Sequence, residues 1–314
     1  MWKFLARKRN REPGWLAMSM QPGALSFAHG VCGPSRKCAI AQFGSRPLDG
    51  TPKDLERVAK EIGVERHQCL TVLAPADYQL LLVDAPNVPP SELKTAVRWR
   101  IKDMIDYHLD DATIDVLDIP VDPSREGRAH SMYAVAARNN VIQGCIERFT
   151  AARIPLTVID IAETAQRNIA ALYEPADRGL AFLYLGPASA LLTVNFRGEL
   201  YLARRIDIGM EQILKLQRGG SDELLNRILL ELQRSFDHLD RQFPFLSIAK
   251  VVLGPEPGET GLADYLAANL GVPVEKANLA EVIDFSPGAA LEGDAPWRLF
   301  HLLGASLRNE VKTL

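Results

Sequence analysis

The chain has few of the features that mark the common specialised classes of protein. Its four cysteines, Cys32, Cys38, Cys69 and Cys145, form no C-x-x-C pair, so neither a cysteine zinc site nor a dithiol redox motif is indicated. A formal net charge of -3 argues against a general basic surface, because neutralising phosphates requires clustered Lys and Arg. We therefore expect no nucleic-acid partner.

Long apolar runs are also missing. No stretch approaches the roughly 20 apolar residues that a bilayer span needs, and the N-terminus lacks the apolar core of a signal peptide. We therefore expect a cytoplasmic protein. Residues 1–14 form a basic tail with Trp2, Phe4 and Leu5. A solvated tail is favoured over contact with an acidic membrane, because a few apolar residues give only weak interfacial binding.

Compact catalytic and metal-binding motifs are absent as well. The sequence contains neither H-E-x-x-H nor G-x-S-x-G, and its six histidines are scattered without a nearby paired ligand. The acidic run from Asp103 to Asp118 lacks the glycine and the terminal Glu of an EF-hand calcium loop. We predict no catalytic residue and no metal site.

What the chain does have is the composition of an ordinary globular protein. Its 314 residues are 47% hydrophobic and 24% charged, which is enough for two compact lobes. Short strand-like runs alternate with amphipathic helices, so the residues alone predict a mixed α/β fold.

The segment from Val88 to Pro120 is the most informative. Ser91 follows two prolines and stands where an N-cap belongs. Apolar residues then repeat at helical spacing and predict one buried helix face: Leu93, Val97, Ile101, Met104 and Ile105. The alternation from Ile114 to Ile119 predicts a strand after this helix. With its neighbours, the segment reads strand, helix, strand, strand.

Four short motifs resemble PilM-like proteins of type IV pilus assembly, and more closely the MshI branch that serves mannose-sensitive haemagglutinin (MSHA) pili. In chain order these are Pro89-Pro90-Ser91-Glu92-Leu93, Ala96-Val97-Arg98-Trp99, Ala136-Ala137-Arg138 and Leu232-Gln233-Arg234-Ser235. The resemblance implies an actin-like, ribonuclease H-like two-lobed fold with an inserted strand-helix-strand-strand subdomain. The implied divisions are the tail at 1–14, a first lobe at 15–77 and 153–178 with a C-terminal helix at 296–311, the insert at 78–152, and a second lobe at 179–295.

The resemblance also implies where a nucleotide would lie, and the expected charges are missing there. The first phosphate turn, Trp15 to Gly23, has no acid and no following lysine; in the second, Tyr184 takes the carboxylate position and Pro187 removes an amide donor. Magnesium prefers carboxylate and phosphate oxygens. We therefore predict a degraded site with no cofactor, although weak ATP binding stays open. Its vestigial positions are Ser19, Gly23, Gly186 and Gly254.

Two further segments belong to this prediction. The glycine-rich adenosine turn corresponds to Leu253 to Gly258, where prolines and Glu256 replace neighbouring glycines. An Asp207-Ile208-Gly209 triplet follows the third strand of its lobe and is interpreted as the approach to a helix, with no phosphate role.

PilM-like proteins bind the short cytoplasmic N-terminal tail of a bitopic inner-membrane PilN-like subunit, in a groove between the first lobe and the insert. By resemblance, this groove draws on the insert's first strand and helix: Tyr78, Leu80, Leu82, Arg98, Trp99 and Lys102. Trp99 lies off the apolar stripe, where aromatic side chains are common binding anchors. The alternative, that Trp99 packs on a neighbouring element, stays open.

The resulting hypothesis is a scaffold at the inner face of the inner membrane, attached through its partner and in contact with other pilus-assembly subunits. One alternative is a divergent actin-fold ATPase that uses an acid such as Asp160 or Glu163. Another is a cell-division membrane tether like FtsA.

Overall fold

The computed structural model describes residues 11–33, 36–120, 130–216, 222–286 and 293–309. Trp2, Phe4 and Leu5 of the predicted tail, and the last residues of the predicted helix 296–311, lie outside these ranges. In the part of the chain that the structure describes, every helix falls short of the length and apolar character that a membrane span requires.

The first lobe begins with an antiparallel meander followed by a helix and a parallel strand. The elements are β1 (Trp15–Gln21), β2 (Ala24–Gly33), β3 (Arg36–Pro47), α1 (Pro52–Ile62) and β4 (Gln68–Val72). Helix α1 has the ends its sequence predicts. The Thr51 side chain accepts a hydrogen bond from the Asp54 amide, and Gly63 closes the helix at a φ of 79°, a left-handed conformation that glycine adopts without steric cost.

The insert forms its own antiparallel sheet in the order β5-β7-β6. Its elements are β5 (Tyr78–Asp84), α2 (Leu93–Arg100), β6 (Ala112–Asp118), β7 (Ser131–Arg138) and α3 (Asn139–Ala151). This is the strand, helix, strand, strand order that the sequence indicates.

Helix α2 is shorter than its apolar stripe predicts. It follows Glu92, which makes no side-chain capping bond, so the prediction of Ser91 as N-cap is wrong. Val97 and Ile101 are fully buried, as expected, but Met104 is 46% exposed. Because the helix ends at Arg100 and turns follow, helical spacing no longer places Met104 on the buried face.

The chain then returns to the first lobe with β8 (Leu156–Asp160), which pairs with β4, and α4 (Ala162–Ala170). The second lobe repeats the pattern of three antiparallel strands followed by helices and parallel strands. Its sheet has the order β11-β10-β9-β12-β13. Its elements are β9 (Gly179–Leu185), β10 (Ala190–Phe196), β11 (Glu199–Ile206), α5 (Met210–Leu216), α6 (Asp222–Gln242), β12 (Ile248–Leu253), α7 (Leu262–Asn269) and β13 (Val274–Lys276).

The last elements cross back to the first lobe. They are α8 (Leu279–Val282), β14 (Asp284–Phe285), α9 (Ala295–Arg298) and α10 (Phe300–Ser306). Strand β14 completes a six-stranded sheet in the order β14-β3-β2-β1-β4-β8. Helix α10 packs so closely on α4 that a side chain at Gly304 would lie 2.1 Å from the Ala165 carbonyl oxygen. The predicted single helix is thus two helices that meet at Leu299.

The insert contacts both lobes. Its residues Ile119 and Tyr133 belong to the buried core of the second lobe, and the Tyr133 hydroxyl accepts a hydrogen bond of 3.0 Å from the Ala203 amide on β11. Its β5 residue Tyr78 packs with Leu73 and Ile161 of the first lobe. The insert is therefore held at the junction of the two lobes.

The cysteines divide into a bonded pair and two buried thiols. Cys32 and Cys38 form a disulfide between β2 and β3, with Cα atoms 4.3 Å apart. The sequence analysis did not predict this bond, because the spacing matches no motif and only the strand pairing brings the two residues together. Cys69 and Cys145 are free and buried, and Cys145 lies on the buried side of α3.

Candidate functional site

Aromatic side chains pack around Tyr184, the residue that takes the carboxylate position of the second phosphate turn in the resemblance. Tyr184 on β9 stacks on Phe300 of α10 with ring centroids 4.6 Å apart and ring planes 8° apart. The Tyr184 hydroxyl donates to the Trp297 carbonyl oxygen at 2.9 Å, and the Trp297 indole donates to the Leu185 carbonyl oxygen at 2.6 Å. Burial raises the pKa of Tyr184, so its phenol stays neutral and is a poor magnesium ligand.

Of the four predicted nucleotide positions, two lie together around Tyr184. A side chain at Gly254 would lie 3.1 Å from the Tyr184 ring, and one at Gly186 would lie 3.5 Å from it. Their amides already donate within the protein, to the Leu183 and Ser189 carbonyl oxygens respectively. Ser19 and Gly23 lie instead on the β1–β2 hairpin of the first lobe.

The Asp207-Ile208-Gly209 triplet leads into α5, as predicted. The amides at the start of this helix, Met210 and Glu211, donate to the Gly186 and Pro187 carbonyl oxygens at 2.8 and 3.1 Å. A phosphate at a helix N-terminus needs free amides. Here the neighbouring β9–β10 turn uses these two donors.

The two acids of the ATPase alternative are buried and paired with arginines. Asp160 forms an ion pair of 3.0 Å with Arg308, and the two side chains are 5% and 8% exposed. Glu163, with its side chain 2% exposed, pairs at 2.9 Å with Arg205 of β11 and accepts a hydrogen bond from the Tyr78 hydroxyl. Glu163 therefore joins the first lobe, the insert and the second lobe, which is a structural role.

Two of the six predicted partner-binding residues share a cavity. Tyr78 and Leu80 line a space of about 310 Å³ between β5 and β11, together with Arg204 and Arg205. Burial is the main cause that raises the pKa of Tyr78. Leu82 is 40% exposed and does not line this cavity.

The other three predicted residues lie on and just after α2. Arg98 donates hydrogen bonds to the Leu109 carbonyl oxygen and to Asp110, so it holds the segment that precedes β6. Trp99 is 66% exposed, and the alternative that it packs on a neighbouring element is therefore wrong within this chain. Lys102 is exposed. The structure does not gather the six residues into one groove, and their role in binding stays a prediction.

A larger groove of about 680 Å³ lies on the other side of the insert, between β6 and the first lobe. It is lined by a continuous stretch of β6, Thr113 to Asp118, and by Val158 to Ile161 at the end of β8. Among the described strands, β6 and β8 are both at the edge of their sheets. Two edge strands therefore face one cavity, and an edge strand presents unpaired backbone groups.

Backbone geometry shows which amides of β6 point outward. The Val116 amide donates to the carboxylate of Asp115 at 2.9 Å, so it is on the free edge and not in the ladder with β7. Because every second residue of a strand directs its amide to the same side, the amides of Ile114 and Asp118 share this edge.

The groove combines an apolar floor with charged side chains. Leu117, Val135 and Ile159 line it and pack against the buried cluster around Tyr78 and Ile161. Ion pairs lie along it: Lys94 with Asp115 at 2.7 Å, and Asp160 with Arg308. An extended segment with both apolar and polar side chains fits this surface.

The partner-binding residues predicted from the sequence lie on β5 and on or just after α2, and the prediction does not include the edge of β6. The alternation from Ile114 to Ile119 did identify β6 as a strand with one buried face. However, the sheet order β5-β7-β6, which leaves β6 at the edge beside β8, is not encoded in that alternation.

No family model and no curated protein matches the chain. Among solved structures, the chain is similar to a PilM-PilN type IV pilus biogenesis complex, with 22% identity over 95% of this chain and 97% of that chain and a TM-score of 0.65.

Two further solved structures are less similar. One is the cytoplasmic domain of EpsL, an inner-membrane component of the type II secretion system of Vibrio cholerae (14% identity, 85% of this chain and 91% of that chain, TM-score 0.48). The other is a Bacteroides thetaiotaomicron protein with an actin-like ATPase fold and unknown function (10% identity, 89% and 95%, TM-score 0.49). The likeness to the PilM–PilN structure shows that the chain shares the fold of that structure, which confirms the predicted two-lobed actin-like fold class and, at the level of fold, the resemblance to PilM.

Proposed function

We propose that this protein is a cytoplasmic scaffold of a type IV pilus machinery that binds the cytoplasmic tail of a PilN-like inner-membrane subunit. The observation that carries the proposal is the groove between β6 and β8, in which two strand edges face one partly apolar cavity. The fold likeness to a complex whose name includes PilN supports it.

The tail binds as an added strand on β6. The outward amides of Ile114, Val116 and Asp118 provide the pairing edge, and Leu117, Val135 and Ile159 provide apolar contacts. In this mode, backbone hydrogen bonds supply affinity, and contacts of alternate side chains supply selectivity. The protein is then attached to the inner face of the inner membrane through its partner, and contacts with other subunits of an MSHA-like pilus extend from there.

The scaffold works without nucleotide chemistry, as a pseudo-ATPase. Three observations support this part of the proposal. Tyr184 stacks on Phe300 at the junction, the amides of Gly186 and Gly254 are bonded within the chain, and Asp160 and Glu163 are paired with arginines.

The proposal is tested by blocking the β6 edge. Proline at Val116 removes the outward amide, and proline is tolerated at an edge where the amide faces away from the sheet. We expect Val116→Pro to bind a peptide of the PilN-like tail from the same genome at least about tenfold more weakly, since it loses a hydrogen bond worth about 0.5–1.5 kcal/mol and gains a steric block. Val116→Ala is the matched control, because it trims the side chain and keeps the amide.

Fluorescence anisotropy measures the affinity, and circular dichroism verifies that both variants fold. Equal affinity of Val116→Pro and Val116→Ala would show that the tail does not pair with β6. A wild-type chain that binds no tail peptide, and that recovers no pilus-assembly subunit from native membranes, would overturn the scaffold function itself.

A further inference from the structure

Three side chains that are far apart in the sequence meet at the start of β1. Glu12 lies three residues before the first residue of this strand, His29 lies on β2 opposite Leu16, and His67 immediately precedes β4. Strand β1 lies between β2 and β4 in the sheet, so the sheet order brings the three residues together. This end of the first lobe is opposite the β1–β2 turn, where the resemblance places a phosphate.

The geometry of the cluster is compact. The imidazole rings of His29 and His67 have centroids 4.2 Å apart, and the two residues are 4% and 3% exposed. One donor atom from each histidine and one carboxylate oxygen of Glu12 all lie within 4.8 Å of one another. Small side-chain rotations bring such a set around one ion, because metal–nitrogen and metal–oxygen distances are about 2.0–2.2 Å.

Hydrogen bonds to backbone carbonyl oxygens hold two of the three residues in place. The Glu12 amide donates to the Arg66 carbonyl oxygen at 2.7 Å, which fixes Glu12 beside His67. The His29 Nε2 lies 3.0 Å from the Pro13 carbonyl oxygen. A carbonyl only accepts, so Nε2 carries the proton and Nδ1 keeps its lone pair, as in metal-binding histidines whose second nitrogen donates to a backbone carbonyl.

The side chain of His67 also points to a missing ligand. Its Nδ1 is buried and has no hydrogen-bond partner among the described residues. A buried polar atom without a partner is costly and calls for an explanation such as a bound ion.

We propose that Glu12, His29 and His67 bind a divalent transition-metal ion of the zinc class, with water in the fourth position. Two imidazole nitrogens and one carboxylate match the ligands of Zn²⁺, whereas Mg²⁺ and Ca²⁺ prefer oxygen ligands throughout. The ion joins the segment before β1 to β2 and to the segment before β4, so it stabilises this end of the sheet. The site is separate from the groove and independent of the proposed function.

The test uses the full chain, stripped of metal with a chelator and titrated with Zn²⁺ against a chromogenic competitor. We expect one tightly bound zinc per chain. Glu12→Gln should weaken the affinity about tenfold or more, since it removes a charged ligand, and His67→Gln should abolish stoichiometric binding. His238→Gln, which changes an exposed histidine of α6, is the matched control and should bind as the wild type does.

Thermal unfolding provides a second measurement. Zinc should raise the unfolding midpoint of the wild type and of His238→Gln, and should raise that of Glu12→Gln much less. Glu12 is exposed, so its variant folds even if His67→Gln does not. Wild-type protein that retains no zinc, or Glu12→Gln that binds zinc as tightly as the wild type, overturns the proposal.

Discussion

Two regions of the molecule differ in how tightly their side chains pack and in whether their backbone amides are hydrogen-bonded. At the junction of the lobes, Tyr184, Phe300 and Trp297 contact one another and the nearby glycine amides are bonded. Between the insert and the first lobe, two strand edges face a groove of about 680 Å³. The junction is thus tightly packed around Tyr184, whereas the groove beside the insert is open. Variants at each place test this difference.

Opening the filled junction should have the largest effect. Tyr184→Ala removes a buried ring that stacks on Phe300, and we expect a loss of about 3–5 kcal/mol in the free energy of unfolding. Tyr184→Phe is the control and should cost only about 1 kcal/mol, the value of one hydrogen bond. Urea denaturation measures both. A Tyr184→Ala variant as stable as Tyr184→Phe would mean that the ring does not hold the lobes together.

Breaking the Glu163–Arg205 pair should have the next largest effect. Arg205→Ala leaves the Glu163 carboxylate buried without its cation, and we expect a loss of about 2 kcal/mol, because Arg205 is about one-third exposed and solvent screens part of the interaction.

The double variant Arg205→Ala, Glu163→Gln is the control and should recover part of this loss, since no unpaired charge remains. A double variant less stable than Arg205→Ala alone would show that the Glu163–Arg205 interaction is not mainly electrostatic. Glu163 would then have another role.

Trp99 distinguishes the groove from the surface predicted by sequence resemblance. If Trp99 is an anchor, Trp99→Ala should weaken tail-peptide binding about tenfold. Its unfolding free energy should change by less than about 0.5 kcal/mol, because the side chain is 66% exposed. Unchanged affinity in Trp99→Ala beside weakened affinity in Val116→Pro would assign binding to the groove alone.

The smallest effect should come from nucleotide. We expect isothermal titration calorimetry with ATP and magnesium to give no binding in the micromolar range, since both acids expected in the phosphate turns are missing and the available amides are used. The same sample should bind the tail peptide, which shows that the protein is active. Micromolar ATP affinity would contradict the degraded site.

The sequence predicted the fold well because its local signals agree with one another. Thr51, Pro52 and Gly63 mark the ends of α1, and the alternation after Ala112 marks β6. The prediction failed where local spacing stops without a marker. The residues just after Arg100 contain no glycine or proline that would mark the end of the helix. Helical spacing therefore predicts that Met104 is buried, whereas it is exposed.

The candidate sites were harder to predict, because they depend on contacts between distant segments. The groove depends on the order of strands in two sheets, and the Glu12, His29 and His67 cluster depends on β1 lying between β2 and β4. Along the chain none of these three residues is adjacent to another, whereas in the fold their possible ligand atoms lie within 4.8 Å of one another. Similarly, nothing in the sequence predicts that Glu163 forms an ion pair with Arg205.

The Val116 amide donates a hydrogen bond to the carboxylate of Asp115. Any strand that pairs with the edge of β6 must first replace this bond. While the carboxylate caps this amide, the edge resists chance pairing with another molecule, which is a known hazard of exposed strands. A short segment that replaces only this one bond gains almost nothing. A longer segment that also reaches Ile114 and Asp118 gains bonds that no side chain within the described ranges supplies, so the cap favours long, correctly aligned ligands over accidental ones.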